Sequence, residues 1–376
     1  MNFIVSIVVS GFIVTVLVLI PLVGVWAFDM RVLFGIIIPY LAFLTFFVGL
    51  IYKVIGWGRS PVPFRIPTTA GQQKTLPWIK YNRLDNPSNT VGVIGRMIFE
   101  VLTFRSLFRN TRMEFRGGPR IGYEWEKWLW LFALMFHYSF LVVVIRHLRF
   151  FTEPIPGFVQ FVAYMDSFMQ TGVVPLSGFG LPALMLSGFA LLGGVSLLFL
   201  RRLLLPQMRY ISLPADYFPL FLITGIALTG ILMRYLLKVD VVSVKELALG
   251  LVSFKPKAPE GIGVLFYIHL FLVSVLVAYF PFSKLMHLGG IFLSPTRNLS
   301  NNNRIVRHAN PWNYPVKTHT YDEYEEEFRD KMVEAEIPVE KMPETPAEEE
   351  APPAEGEEAA PAEEGEAEAE EKAEKE

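Results

Sequence analysis

The chain contains six histidines, and four of them sit where imidazole is costly. His137 and His147 lie ten residues apart in one long apolar run. His269 and His287 lie eighteen apart, in and just beyond another. An ionisable side chain inside a hydrocarbon layer points to a function and asks for a named partner. Taken singly, each imidazole is as well explained by a hydrogen bond to a neighbouring helix, or by a proton path, as by metal ligation. Two imidazoles facing two others across helices are what two six-coordinate haems would require. Zinc fits worse, because ligands about 15 Å apart along one helix cannot share an ion whose bonds are about 2 Å. His308 and His319 fall in a polar segment, and no metal role is expected for them.

The elements that must hold these residues are membrane spans. Of the 376 residues 52% are hydrophobic, and they come in blocks. Crossing a hydrocarbon core of about 30 Å takes roughly 20 residues of helix. Six such blocks are present, at about 2–28, 32–52, 128–150, 177–200, 217–237 and 261–286. Asp29-Met30-Arg31 reads as the turn between the first two. The first run lacks a basic leader and exceeds a signal peptide's apolar core, so a retained helix is expected. The expected fold class is an all-α membrane protein: a six-helix bundle with a haem-binding four-helix core and a disordered acidic C-terminal tail. The corresponding domains are an N-terminal transmembrane hairpin (1–53), a basic cytoplasmic loop (54–127), the dihaem core (128–293), a cytoplasmic extension (294–343) and the tail (344–376).

Charge orients the bundle. Residues 53–127 hold 13 Lys/Arg against 5 acids, Arg201, Arg202 and Arg209 follow the fourth span, and Lys284, Arg297, Arg304 and Arg307 follow the sixth. Basic loops stay in the cytoplasm. Residues 151–177 have no Lys or Arg, only Glu153 and Asp166, and belong outside. Both termini are then cytoplasmic, in the inner membrane of a prokaryote. The third helix runs outward and the sixth inward, so depth pairs His147 with His269 near the outer face and His137 with His287 near the inner. The axial separations, about 15 and 27 Å on straight helices, do not match, and ten residues turn a helix by about 80° from register. The separations need not match, because helices tilt and a haem plane can incline; Pro281 adds a kink to the sixth helix between its two histidines.

The net charge of −2 conceals an uneven distribution. Residues 344–376 hold 15 Glu and 2 Lys, a net of −13, so the remainder carries +11 before histidines are counted. A tail of Ala, Glu, Pro and Gly has too little apolar surface to repay ordering. There is no cysteine. That excludes disulfides, thiolate catalysis, covalent haem and cysteine-held iron–sulfur clusters, so iron–sulfur chemistry belongs to a partner. Arg146 and Arg234 are candidate partners for haem propionates, with snorkelling to the interface as the plainer account. The loop before the third span contains Trp57, Trp78 and an amphipathic stretch around residues 91–108. Contact with anionic lipid and docking of an iron–sulfur subunit are both open for it.

A His–x9–His span followed by a His–x17–His span resembles the membrane cytochrome b subunits, or gamma subunits, of respiratory nitrate reductases, over about residues 125–295. The extra N-terminal hairpin, basic loop and acidic tail are most similar to the M subunits of the sulfite-reduction-associated DsrMKJOP complexes of sulfate reducers. That resemblance implies two haems b, with His147 and His269 on the outer iron and His137 and His287 on the inner. It also implies menaquinol or menaquinone as the substrate and a cytoplasmic iron–sulfur partner of heterodisulfide-reductase type, within a larger respiratory complex. Membrane lipid, and no nucleic acid, is the other expected partner. Nitrate reductase relatives place a lysine near the outer quinone site; residues 148–200 contain none. A cytochrome of another complex (nitrate reductase, formate dehydrogenase or hydrogenase type), or a non-redox transporter or anchor, is the alternative.

Overall fold

The computed structural model describes residues 3–60, 71–109, 111–118, 120–168, 184–305 and 318–341. Two compact units, residues 1–312 and 313–376, are treated separately. The expected disordered tail, His308 and the start of the expected fourth span at 177–183 lie outside the described residues.

Helix α1 (Phe3–Phe28) is followed by a π-helical turn (Leu33–Ile37) that runs into α2 (Ile38–Gly58). Asp29 between them has a positive φ of 48°, the turn its Asp-Met-Arg sequence suggests. Outside the spans, α3 (Thr90–Thr103) and α4 (Arg105–Arg109) precede a hairpin of β1 (Thr111–Arg116) and β2 (Arg120–Trp125). Helix α5 (Lys127–His147) carries two of the four histidines. The loop that follows folds into α6 (Gly157–Asp166). A two-residue pairing of β3 (Ser167–Phe168) with β4 (Leu184–Met185) then leads into α7 (Leu186–Leu204). Next come α8 (Pro206–Ile211), α9 (Pro214–Tyr235), α10 (Val241–Val252), α11 (Val264–Tyr279), α12 (His287–Leu293) and α13 (Pro295–Asn298).

Six of these elements are long and apolar enough to cross a membrane: 3–28, 33–58, 127–150, 186–204, 214–235 and 264–282. The chain is mostly helical, and the two short antiparallel pairs are its only departures from an all-α description among the described residues. Helix α5 packs on α7, α7 on α9 and α9 on α11, while α1 lies against α9 and α11, and α2 against α11. The central core joins Val14, Leu191, Leu222, Ile223, Ala227, Ile268, Leu272 and Leu276. Lipid is as apolar as leucine, so close packing of helices must come from shape. Gly194 shows this: a Cβ there would stand 3.0 Å from the backbone N and Cα of Phe136, one residue before His137.

The elements outside the spans are built by local hydrogen bonding. The Asn89 side chain caps α3 by accepting from Gly92 N at 2.8 Å, and Asp240 caps α10 by accepting from Val242 N at 3.0 Å; such caps satisfy otherwise orphaned N–H groups. In the second unit, α14 (Tyr321–Glu334) opens with a Thr320/Glu323 capping box. The Glu325 carboxylate on α14 accepts from the backbone N–H groups of Glu340 and Lys341 at 2.9 and 2.8 Å. These bonds hold its pKa below the ordinary glutamate value.

Gly194→Ala is expected to destabilise the detergent-solubilised chain by about 1–3 kcal/mol, the range for overpacking a close contact. Gly188→Ala, whose Cβ would meet only Ile231 at 3.9 Å, should be nearly neutral. Unfolding curves of the two variants, followed by circular dichroism, check this.

Candidate functional site: four imidazoles in two pairs

The structure brings His137 together with His287 and His147 with His269. The inner-pair ring centroids are 5.9 Å apart with planes at 87°, and the outer-pair centroids 6.5 Å apart with planes at 18°. A straight sixth helix would not give this arrangement. Helix α11 stops at Tyr279, a 3₁₀ turn spans Phe280–Phe282, and Ser283 is extended at φ −120°, ψ 175°. Pro281 has no N–H to continue the helical ladder. A second 3₁₀ turn, Lys284–Met286, leads into α12, which begins at His287. The break removes the mismatch between spacings of ten and eighteen. It is packed from both sides. A Cβ on Gly49 of α2 would lie 2.8 Å from Pro281, and Lys284 reaches Asp216 of α9 at 2.6 Å.

Each imidazole has its Nδ1 occupied. Nδ1 of His137 donates to the Ala133 carbonyl at 2.7 Å, that of His147 to the Val143 carbonyl at 2.7 Å, and that of His287 to the Lys284 carbonyl at 2.9 Å. A carbonyl only accepts, so these three protons sit on Nδ1. For His269 the partner is the Thr229 hydroxyl, at 2.8 Å. That hydroxyl also faces the Gly225 and Ile226 carbonyls at 2.8 and 3.0 Å and spends its one proton there, so it accepts from His269. In all four residues Nε2 is then the bare lone pair, the state in which imidazole binds a metal. The second-nitrogen hydrogen bond is the one that fixes ring orientation at metal sites.

The inner pair lies beneath a cap. The Phe104 ring meets His137 edge to face at 5.0 Å, and Phe104 takes a φ of 51° to end α3 there. Two donors on α5 hold the same end: Trp130 Nε1 donates to Thr103 O at 2.7 Å and Tyr138 Oη to Leu102 O at 2.6 Å. Farther along α3, Glu100 accepts from Arg297 at 2.7 Å and pairs with Ser106. Asp85 holds Arg105 at 3.0 Å and also Arg109. Arg96 is buried beside Glu100. Desolvation, then the nearby Arg297 cation, lowers its pKa below the ordinary arginine value.

Cations surround the outer pair. Arg146 is held by Asp166 at 2.6 Å and by Ser187 Oγ at 3.0 Å, and Asp166 in turn accepts from Ser187 N at 2.7 Å. This clamp ties α5, the end of α6 and the start of α7 together just above His147. Arg146 therefore already owns a carboxylate, and a further anion would share it. Arg149 and Arg234 interact electrostatically with each other, and Arg234 also with Arg146. His319 lies in the second unit, 3.9 Å from Glu327. Sequence reading missed Thr229, Phe104 and the partner of Arg146. Thr229 is one hydroxyl on an apolar span, and only its immediate neighbour Gly230, whose Cβ would lie 3.4 Å from the His269 ring, marks the spot.

Residues 122–309, which include all four histidines, match the model of the nitrate reductase gamma subunit family. A cytochrome b-like subunit of an Hdr-like menaquinol oxidoreductase from Archaeoglobus fulgidus is 45% identical over 288 residues, 75% of this chain and 83% of the relative. Its counterpart in Archaeoglobus profundus is 40% identical over 323 residues, 79% of this chain and 93% of the relative. The chain belongs to the nitrate reductase gamma subunit family, alongside the membrane cytochrome b-like subunits of Hdr-like menaquinol oxidoreductases.

Proposed function

We propose that the chain is a dihaem cytochrome b that carries electrons from menaquinol, across the membrane, to a cytoplasmic iron–sulfur subunit. The observation that carries this reading is the spacing of the two pairs. Two imidazoles held by bonds of about 2 Å on opposite sides of one ion would have ring centroids about 6.3 Å apart. The observed 5.9 and 6.5 Å straddle that value. No third His, Asp or Glu joins either pair in a metal-holding cluster among the described residues. Two side-chain ligands suit an ion whose other four positions belong to a macrocycle.

Haem b supplies reversible one-electron chemistry at its iron. His147 and His269 would hold the outer haem, His137 and His287 the inner. The Nδ1 bonds keep each ring in the tautomer that presents Nε2, and the hydroxyl of Thr229 increases the basicity of His269. Because His137 and His147 share the rigid helix α5, the two sites stay about 15 Å apart along its axis. Arg146, Arg149 and Arg234 give the outer site a positive field that favours propionate and other carboxylates.

The basic loops support a sidedness in which both termini and the His137/His287 end would face the cytoplasm. Menaquinol at the outer face would yield two electrons and two protons, the protons leaving outside and the electrons moving inward. The names of the two Archaeoglobus relatives support menaquinol as donor and a heterodisulfide-reductase-like acceptor. With no cysteine of its own, the chain must pass its electrons to clusters on that partner. Sulfur-compound respiration is the chemistry that such a partner would serve.

A reduced-minus-oxidised spectrum of the purified complex should show two b-type components. His147→Ala should remove the outer haem and leave the inner; loss of the inner one alone would contradict the pairing, and a featureless spectrum of the unmodified protein the whole assignment. Thr229→Val should keep both haems and raise the outer midpoint potential, because a weaker donor ligand favours the ferric state less. A tenfold change in relative affinity corresponds to about 59 mV for one electron, which sets the scale of the expected shift. Potentiometric titration checks it, with an unmoved inner haem as the internal control.

A further inference from the structure

Helix α3 is built inside out for a surface helix. Its charged residues Arg96 and Glu100 are 4% and 6% exposed, while Val91, Ile94, Ile98 and Leu102 are 79%, 55%, 51% and 53% exposed. At 100° per residue these four, with Phe99 and Val101, form one continuous stripe, and Arg96 and Glu100 lie on the opposite side. In water such a stripe would be a liability, and contiguous apolar patches of this kind mark a buried contact.

The depth of the helix identifies that contact. Its C-terminal end is bonded to Trp130 and Tyr138, which are three and eleven residues into the span that begins at Lys127. Those positions lie about 5 and 17 Å along α5. With the Tyr138 ring leaning back toward the helix start, the end of α3 stands at the boundary between headgroups and acyl chains. On α5 itself Leu131 and Leu141 are 45% and 52% exposed, as residues facing lipid would be. An amphipathic helix lying in the interface buries its apolar face about 5–10 Å into that boundary.

We propose that α3 is an interfacial helix, its Val91/Ile94/Ile98/Leu102 face embedded in the acyl chains of the leaflet at the His137/His287 end. The membrane is its occupant. Pinned between lipid and α5, the helix holds Phe104 against His137 and shields the inner pair from the aqueous phase. This assignment rests on the transmembrane reading of α5 and is independent of the haem assignment.

The absence of cysteine makes the test direct. I98C and V91C, each labelled with bimane in the full chain, are reconstituted in nanodiscs containing a mixture of lipids brominated at shallow and at deep positions of the acyl chain. L141C on α5 serves as the lipid-facing control and E334C on α14 as the water-facing one. Loss of fluorescence at I98C and V91C matching that at L141C, in the isolated chain and again in the complete complex, is the expected result. Quenching no greater than at E334C overturns the proposal. So does quenching in the isolated chain that disappears in the complex, which would assign the stripe to the partner subunit. Failure of L141C to quench would instead overturn the transmembrane reading of α5, and with it the proposal.

Discussion

A neutral imidazole has two nitrogens and one proton, and in a hydrocarbon setting neither nitrogen is solvated by water. Everything at the two histidine pairs follows from fixing that proton on Nδ1. On α5 the helix itself provides the acceptor, since the carbonyls of Ala133 and Val143 lie one turn back from His137 and His147. His287 uses the Lys284 carbonyl of the preceding 3₁₀ turn. His269 turns instead to Thr229 on the neighbouring α9, so its ring direction depends on helix–helix packing as well as on its own backbone. That packing is tight: Gly230 leaves the ring its space, and the neighbouring Thr229 hydroxyl is steered by its own bonds to α9 carbonyls. The outer pair is therefore the more sensitive of the two to any shift of α9 against α11.

The second constraint is geometric. Helix α5 keeps its two histidines at a fixed rise and a fixed azimuthal offset, so α11 must adapt. It does so by ending. Pro281 removes a backbone donor, Ser283 extends, and its hydroxyl accepts from Leu285 N at 3.1 Å to start the next turn. The recovered chain then lays α12 along Trp57 of α2, which a Cβ on Gly289 or Gly290 would meet at 3.7 Å. The N-terminal hairpin thus supports the inner site from behind, through Gly49 at Pro281 and Trp57 at α12. Helices α5, α9 and α11 carry His137, His147, Thr229 and His269, and α1 packs against both α9 and α11.

Much of this was legible in the chain. Apolar block length located all six spans, and the ends of most agree within a turn or two: the third, expected at 128–150, is 127–150, and the first, expected at 2–28, is 3–28. The sixth was expected to run to residue 286 and gives way at 282, because hydropathy does not register the missing N–H of a proline as an end. The charge bias of the loops led to pairing His137 with His287 and His147 with His269, the rings that lie 5.9 and 6.5 Å apart. What escaped was whatever depends on tertiary position. The 151–177 loop read as an acidic connection, yet α6 forms there and delivers Asp166 to Arg146 across 20 residues of sequence. Arg146 was visible as a cation near His147; that it would be claimed by a carboxylate was not, since ion pairing across a loop leaves no periodicity.

The stretch around residues 91–108 shows the same limit from the other side. Its amphipathicity was plain, but amphipathicity alone does not say which face is buried. A soluble protein would turn Ile94 and Ile98 inward and leave Arg96 and Glu100 in water. Here Arg297, Ser106 and Glu100 make a polar cluster on the protein side, so the charged face is the one that finds partners within the chain. The apolar face is then turned outward by elimination. A polar inside and an apolar outside is stable only where the surroundings are less polar than the protein. The orientation of α3 thus carries independent information about its solvent, obtained from its hydrogen bonds and not from its hydropathy.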